Sequence, residues 1–139
     1  MNDSGQTVCL CMIVKNEDHV IRRCLQSVLP LIDCWVIVDT GSGAGTQQAI
    51  RSFLRDIPGE LYERPWVDFA VNRSESLAFA NGRATYLLVI DADEVLEYDE
   101  DFRLPHLQAD AYDFVIHSGS LFWYEMSRTT SSLRPFLGL

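Results

Sequence analysis

The run Tyr86-Leu-Leu-Val-Ile90 ends in Asp91-Ala-Asp-Glu94, so three carboxylates fall within four positions directly after five apolar or aromatic residues. Such a run suits a strand covered on both faces, as in a parallel sheet. Ligands of open α/β sheets sit just outside the carboxyl ends of strands. Carboxylates crowded there repel one another unless a cation offsets them. Hard oxygen ligands suit Mg²⁺ or Mn²⁺, which take one or two protein carboxylates and fill their other positions with water and substrate phosphate. The chemistry suggested is a metal-assisted phosphate or diphosphate site, and the competing explanation is a strand ending in a solvated acidic turn.

Two further polar groups follow apolar runs in the same way. Trp35-Val-Ile-Val38 ends in Asp39, whose carboxylate is suited to accept an imide or amino hydrogen of a base, or sugar hydroxyls. The loop Gly41-Ser42-Gly43-Ala44-Gly45-Thr46 then leads into a helix, where glycines permit close backbone approach and a helix N-terminus offers free N–H groups. It matches neither the dinucleotide-binding spacing nor the Gly-Lys-Ser/Thr phosphate loop, and a plain β-α turn with Thr46 as N-cap explains it equally. Lys15, Asn16 and Glu17 end the first apolar run, Val8–Val14. They either join Asp39 and Asp91 on one rim or form the entry to a helix, capped by Asn16 or Asp18. Arg73 shares a helical face with Phe69, Leu77 and Ala80, so its cation needs an acidic strand end or a ligand phosphate as partner.

These residues need a scaffold that delivers several strand ends to one place, and the order of elements supplies it. Helical spacing of Val20, Ile21, Cys24, Leu25, Val28 and Leu29 precedes a stop at Pro30; Ile50, Phe53, Leu54 and Ile57 mark a second helix closed by Pro58-Gly59. A short strand over Glu60 to Glu63, a helix over Phe69 to Asn81 and the acidic strand follow. This β-α-β-α-β-α-β order predicts an α/β fold, a mostly parallel sheet flanked by helices. Beyond Glu100 the pattern predicts a short helix over Phe102 to Leu107 and strands over Tyr112 to His117 and Leu121 to Met126. The 139 residues fit one domain.

A net charge of −9 disfavours nonspecific nucleic-acid binding, which relies on Lys and Arg. A phosphorylated ligand therefore needs a local cation, and a divalent ion at Asp91 and Asp93, assisted by Arg73 or Lys15, provides one. Cys9, Cys11, Cys24 and Cys34 lie in apolar segments without zinc spacing and read as small core residues. His19, His106 and His117 show no ligand spacing, and Phe122-Trp-Tyr124 fits a half-buried strand better than a stacking platform. No apolar stretch is long enough for a membrane span, and the polar start Met-Asn-Asp-Ser-Gly-Gln-Thr7 gives a cytoplasmic address as the expectation.

Four segments taken in order, Met12-Ile-Val-Lys-Asn-Glu17, Val36-Ile-Val-Asp-Thr-Gly-Ser42 with Gly45-Thr46, Trp66-Val-Asp-Phe-Ala-Val-Asn-Arg73 and Leu88-Val-Ile-Asp-Ala-Asp-Glu94, resemble the nucleotide-sugar-binding half of inverting GT-A glycosyltransferases of family 2. The resemblance covers residues 8–97 and implies a GT-A (Rossmann-like) fold, with 98–139 as a partial acceptor-side region. It implies that Asp39 contacts the base of a UDP-type donor, that Asn16 and Glu17 line the nucleoside pocket, and that Asp91-Ala92-Asp93 is the D-x-D motif. Asp91 would then lie near the ribose, Asp93 would hold Mn²⁺ or Mg²⁺ on the diphosphate, and Arg73 would belong to the donor site. Two departures stand out. Ala44 replaces the second acid of the family's D-x-G-S-x-D-x-T loop, and no recognisable acceptor motif follows the D-x-D strand, so no general base is named and the fold is expected to be incomplete at its C-terminus. The alternatives are a noncatalytic or truncated nucleotide-binding module and a metal-dependent phosphohydrolase.

Overall fold

Seven consecutive apolar residues, Val8–Val14, form the central strand β1, and their side chains alternate between two separate cores. Val8, Leu10, Met12 and Val14 enter the larger core with Ile21, Leu25, Ile37 and Ile50, while Cys9 and Cys11 enter the smaller one with Val36, Ala80 and Leu87. Alternation with period two places successive residues on opposite sheet faces, so an all-apolar strand must be covered twice. The structure is a computed structural model that describes residues 2, 4–115 and 123–128, with 113–115 and 123–128 described by their backbone course.

The elements following β1 are α1 (Ile21–Val28), a 3-10 turn (Leu29–Leu31), β2 (Cys34–Asp39), α2 (Ala44–Phe53), β3 (Gly59–Glu63), α3 (Phe69–Ala80), β4 (Tyr86–Val89), β5 (Ala111–Val115) and β6 (Trp123–Arg128). The sheet order is β3-β2-β1-β4-β6-β5. The first four strands are parallel, and β6 runs antiparallel to both β4 and β5. Residues of α1 and α2 share the larger core, whereas α3 packs over β1 and β2 on the opposite face. The chain winds outward from β1 to β3 and then crosses back to place β4 on the other side of β1. That reversal opens a crevice between the carboxyl ends of β1 and β4, the usual ligand position in such sheets.

The expected α/β fold with a mostly parallel sheet is observed, and β1 has the predicted limits. Several local expectations are corrected. Residues 102–108 form no helix, since Pro105 lacks an N–H donor and biases Leu104 away from helical backbone. Parallel pairing of β4 stops at Val89, one residue short of the apolar run. Helix α2 begins at Ala44 with Gly43 as N-cap, so Thr46 lies inside the first turn, buried against the core, rather than capping it. Neither Asn16 nor Asp18 caps α1, whose N-cap is Val20 without a side-chain bond. The two late strands are found at 111–115 and 123–128. His117, Leu121 and the side chains of Phe122, Trp123 and Tyr124 lie outside the described residues.

Candidate functional site at the carboxyl ends of the parallel strands

Register places the sequence-predicted residues on one rim. Val14 pairs with Asp39, and Cys11 pairs with Val89, so Asp91 stands about one residue from the level of Asp39 along the strand direction. Two inter-strand spacings separate β2 from β4, a lateral distance of roughly 10 Å. Lys15-Asn16-Glu17 leaves β1 between them.

Asn16 ties the first two strand ends together. It adopts a left-handed backbone with φ 52, which asparagine tolerates better than most residues. Its N–H donates to Ser42 Oγ at 2.7 Å, and its Oδ1 accepts from the Gly43 N–H at 3.0 Å. The loop after β2 is thereby fixed to the turn after β1.

Asp39 is 2% exposed. Its Oδ1 accepts from the Gly41 and Ser42 N–H groups at 3.0 and 2.8 Å, and its Oδ2 accepts from Gln47 Nε2 at 2.6 Å. Burial pushes the Asp39 carboxyl up, but the bonds from Gln47, Ser42 and Gly41 outweigh it and hold the group below the usual carboxylate range. Gln47 Nε2 also donates to Glu63 Oε1 at 2.8 Å. Asp39 to Ser42, Gln47 and Glu63 to Pro65 line a cavity of about 310 Å³. That volume is in the range of small-ligand pockets. Glu63 and Gln47 escaped the sequence reading. Glu63 carried a usable signal, because it is the last residue of β3 and pairs in register with Asp39.

Across the crevice, Arg73 Nη2 donates to Asp91 Oδ1 at 2.9 Å, with Arg73 2% and Asp91 54% exposed. The guanidinium thus pairs with the acidic strand end, and it also lies 5.4 Å from the Phe69 ring centroid. Asp68 caps α3 by accepting from the Val71 N–H, and buried Asn72 bonds Val67 N and Pro65 O, which fixes the approach to the helix that carries Arg73. Asp93 is exposed, while buried Ala92 anchors the turn. Glu17 is pushed above the usual range by burial and then by the negative charge of Asp93, with His19 lowering it and Asp91 adding to the rise. Glu17, Asp91 and Asp93 therefore share one anionic field.

That field suits a cation, but among the described residues no group of three or more metal-binding side chains is assembled. Asp91 is turned to Arg73 through Oδ1, and both Asp91 and Asp93 are exposed. A site offering one or two carboxylates fits Mg²⁺ or Mn²⁺ that completes its shell with water and substrate phosphate. The cysteines behave as expected: Cys9, Cys11 and Cys24 are buried, Cys34 is intermediate, and all four are free. Among the described residues no helix is long and apolar enough to cross a membrane.

The reversed parallel sheet with acidic strand ends around its switch-point crevice is the GT-A glycosyltransferase fold, which the chain shares with solved structures. A mannosyltransferase from Pyrobaculum calidifontis, solved with GDP-Man and Mn²⁺, superposes with a TM-score of 0.55 at 22% identity over 68% of this chain and 30% of that one. S. aureus TarS in complex with UDP-GlcNAc gives a TM-score of 0.53 at 18% identity over 63% of this chain and 26% of that one. Residues 9–133 match Glycosyl transferase family 2, and the chain belongs to that family. A TPR repeat-containing protein of Synechococcus elongatus is 34% identical over 112 residues, 78% of this chain. The chain spans about a quarter of that relative, 26% of its length.

Proposed function

We propose that this domain binds the nucleoside diphosphate of a sugar donor and, as part of an inverting glycosyltransferase, positions the sugar for transfer to an acceptor nucleophile. The observation that carries the reading is the meeting of three strand ends, Asp39, Asn16-Glu17 and Asp91-Ala92-Asp93, around one crevice beside a nucleoside-sized cavity. The similar mannosyltransferase and TarS structures, which hold GDP-Man with Mn²⁺ and UDP-GlcNAc, support a nucleotide-sugar donor.

In this reading residues 8–97 form the donor half and 98–139 begin the acceptor side of a single domain. The base lies in the cavity by Asp39, and Asn16 and Glu17 border the nucleoside. Asp91, oriented by Arg73, faces the ribose. Asp93 would hold Mn²⁺ or Mg²⁺ against the diphosphate, where the ion supplies Lewis acidity that stabilises the departing nucleoside diphosphate. An acceptor nucleophile then displaces that group at the anomeric carbon with inversion. The expected donor is of the UDP type, and the acceptor is a hydroxyl or comparable nucleophile.

Calorimetry of UDP and GDP binding with Mn²⁺ or with chelator tests the reading. Asp93→Ala is expected to weaken binding about 10- to 100-fold in Mn²⁺ and little in chelator. Equal loss in both conditions removes the metal role. Release of phosphate from simple phosphoesters, abolished by Asp91→Asn, would instead favour a phosphohydrolase.

A further inference from the structure

We infer that Cys9 and Cys34 form a dithiol modification site, which a small-molecule disulfide closes to an intramolecular disulfide that staples β1 to β2 at the end of the sheet opposite its carboxyl rim. The two residues are Cα partners in the parallel ladder between β1 and β2. Adjacent strands lie about 4.8 Å apart, and disulfides join Cα atoms roughly 4.4–6.8 Å apart, so the ladder already holds the pair at bonding range.

Both side chains lie on one face of the sheet. Cys9 and Val36 belong to the smaller core, and Cys34, two positions before Val36 on the same strand, packs against that core. The other two thiols are not rivals. Cys24 lies in the larger core on the opposite face. Cys11 has Val36 as its ladder partner, and its thiol donates to Ser76 Oγ at 3.6 Å.

The pair is asymmetric in the way that thiol–disulfide exchange requires. Cys34 is half-buried, with its thiol 3.8 Å from the Arg83 carbonyl oxygen, whereas Cys9 is fully buried. A hydrogen bond from the Cys9 thiol holds Cys34 below the usual thiol range against burial and the charge of Asp33, and the Arg83 cation adds to the lowering. Cys34 is therefore the entering nucleophile, since the thiolate is the reactive form. It attacks one sulfur of glutathione disulfide, breaking the S–S bond and releasing one glutathione, which takes up the proton that Cys34 has lost. Cys9 then gives up its proton, attacks the Cys34 sulfur of the mixed disulfide and expels the second glutathione. Two protein S–H bonds become one S–S bond, and the reagent is reduced to two thiols. Asp39 stands at the other end of the six-residue strand β2, about 16 Å away, so the new bond leaves the rim untouched.

The test treats the reduced 139-residue chain with glutathione disulfide, then counts free thiols after unfolding and maps the peptides by mass spectrometry. Two of the four thiols should be lost without retained glutathione, the Cys9 peptide should be joined to that of Cys34, and dithiothreitol should reverse the change. The urea midpoint of the oxidised protein should rise by about 1 M, because the crosslink restricts the unfolded chain. Cys9→Ala, its fold verified by circular dichroism, should stop at a glutathione adduct on Cys34, and Cys34→Ala should take up no reagent under the same conditions. Four free thiols persisting in the wild type, a crosslink through Cys11 or Cys24, or glutathione retained on wild-type Cys34 overturns the inference. A lower midpoint on oxidation means that the ladder gives way to close the bond, which overturns the preformed pair.

Discussion

Replacing Asp91 with alanine and Arg73 with methionine deletes opposite ends of one ion pair, and the burial of the two partners makes the losses unequal. Arg73 is 2% exposed and Asp91 54% exposed. Removing the carboxylate takes away a charge-assisted bond, worth about 1.5–3 kcal/mol, from a cation that stays buried. Removing the cation leaves a half-exposed carboxylate that water can solvate, while methionine refills much of the apolar stem of the arginine. The lost contact with the Phe69 face costs about 0.5–1 kcal/mol. Asp91→Ala should therefore destabilise by about 2–3 kcal/mol and Arg73→Met by about 1 kcal/mol. With a urea dependence of about 2 kcal/mol per molar, the midpoints fall by roughly 1–1.5 M and 0.5 M. Binding should show a different order of severity. Arg73→Met, although the milder change for stability, releases Asp91 from its orientation and should weaken Mn²⁺-dependent nucleotide binding about tenfold. Urea titration of both variants, followed by calorimetry on the folded proteins, measures each part. An Arg73→Met midpoint at or below that of Asp91→Ala would refute the asymmetry.

Other substitutions probe the parts that hold the rim together. Asn16→Ala and Asn16→Gly both lose the bond to the Gly43 N–H, but only alanine is penalised by the left-handed backbone. The alanine variant should be less stable by about 1 kcal/mol, and equal denaturation midpoints would contradict this. Gly59→Ala drives a Cβ into the Trp35 ring, which is buried and bonded through Nε1 to Ile57 O at 2.9 Å, so the ring cannot simply slide aside. A loss of about 1–3 kcal/mol with altered tryptophan emission is expected, and an unchanged midpoint argues against the contact. The lowered pKa of Asp39 fixes a sign for the pH dependence. The unfolded chain takes up that proton first, so the stabilisation is complete above the unfolded value near about pH 4 and disappears as pH falls through the folded one. Stability of wild type minus Asp39→Asn should shrink steadily below that pH, and a difference that stays constant down to acid pH would overturn the assignment.

The order of apolar runs, helical spacings and strand-end acids was sufficient to read the parallel core, because two-sided burial leaves a continuous apolar run and helical crossovers leave a 3.6-residue period. Asp39, Asp91 and Asn16-Glu17 were legible for a related reason: a polar group directly after a buried strand must emerge at its end. What a side chain does there depends on groups far away in the chain, which no spacing encodes. Only the fold turned Arg73 to Asp91, bonded Asn16 across 26 positions to Ser42, and buried Asp39 under its own loop. Only the parallel register of β2 and β3 brought Glu63 beside Asp39, with the first turns of α2 setting the Gln47 amide between them. Strand ends are a local property of sequence, whereas the partner of a buried charge is chosen by the three-dimensional competition to satisfy it.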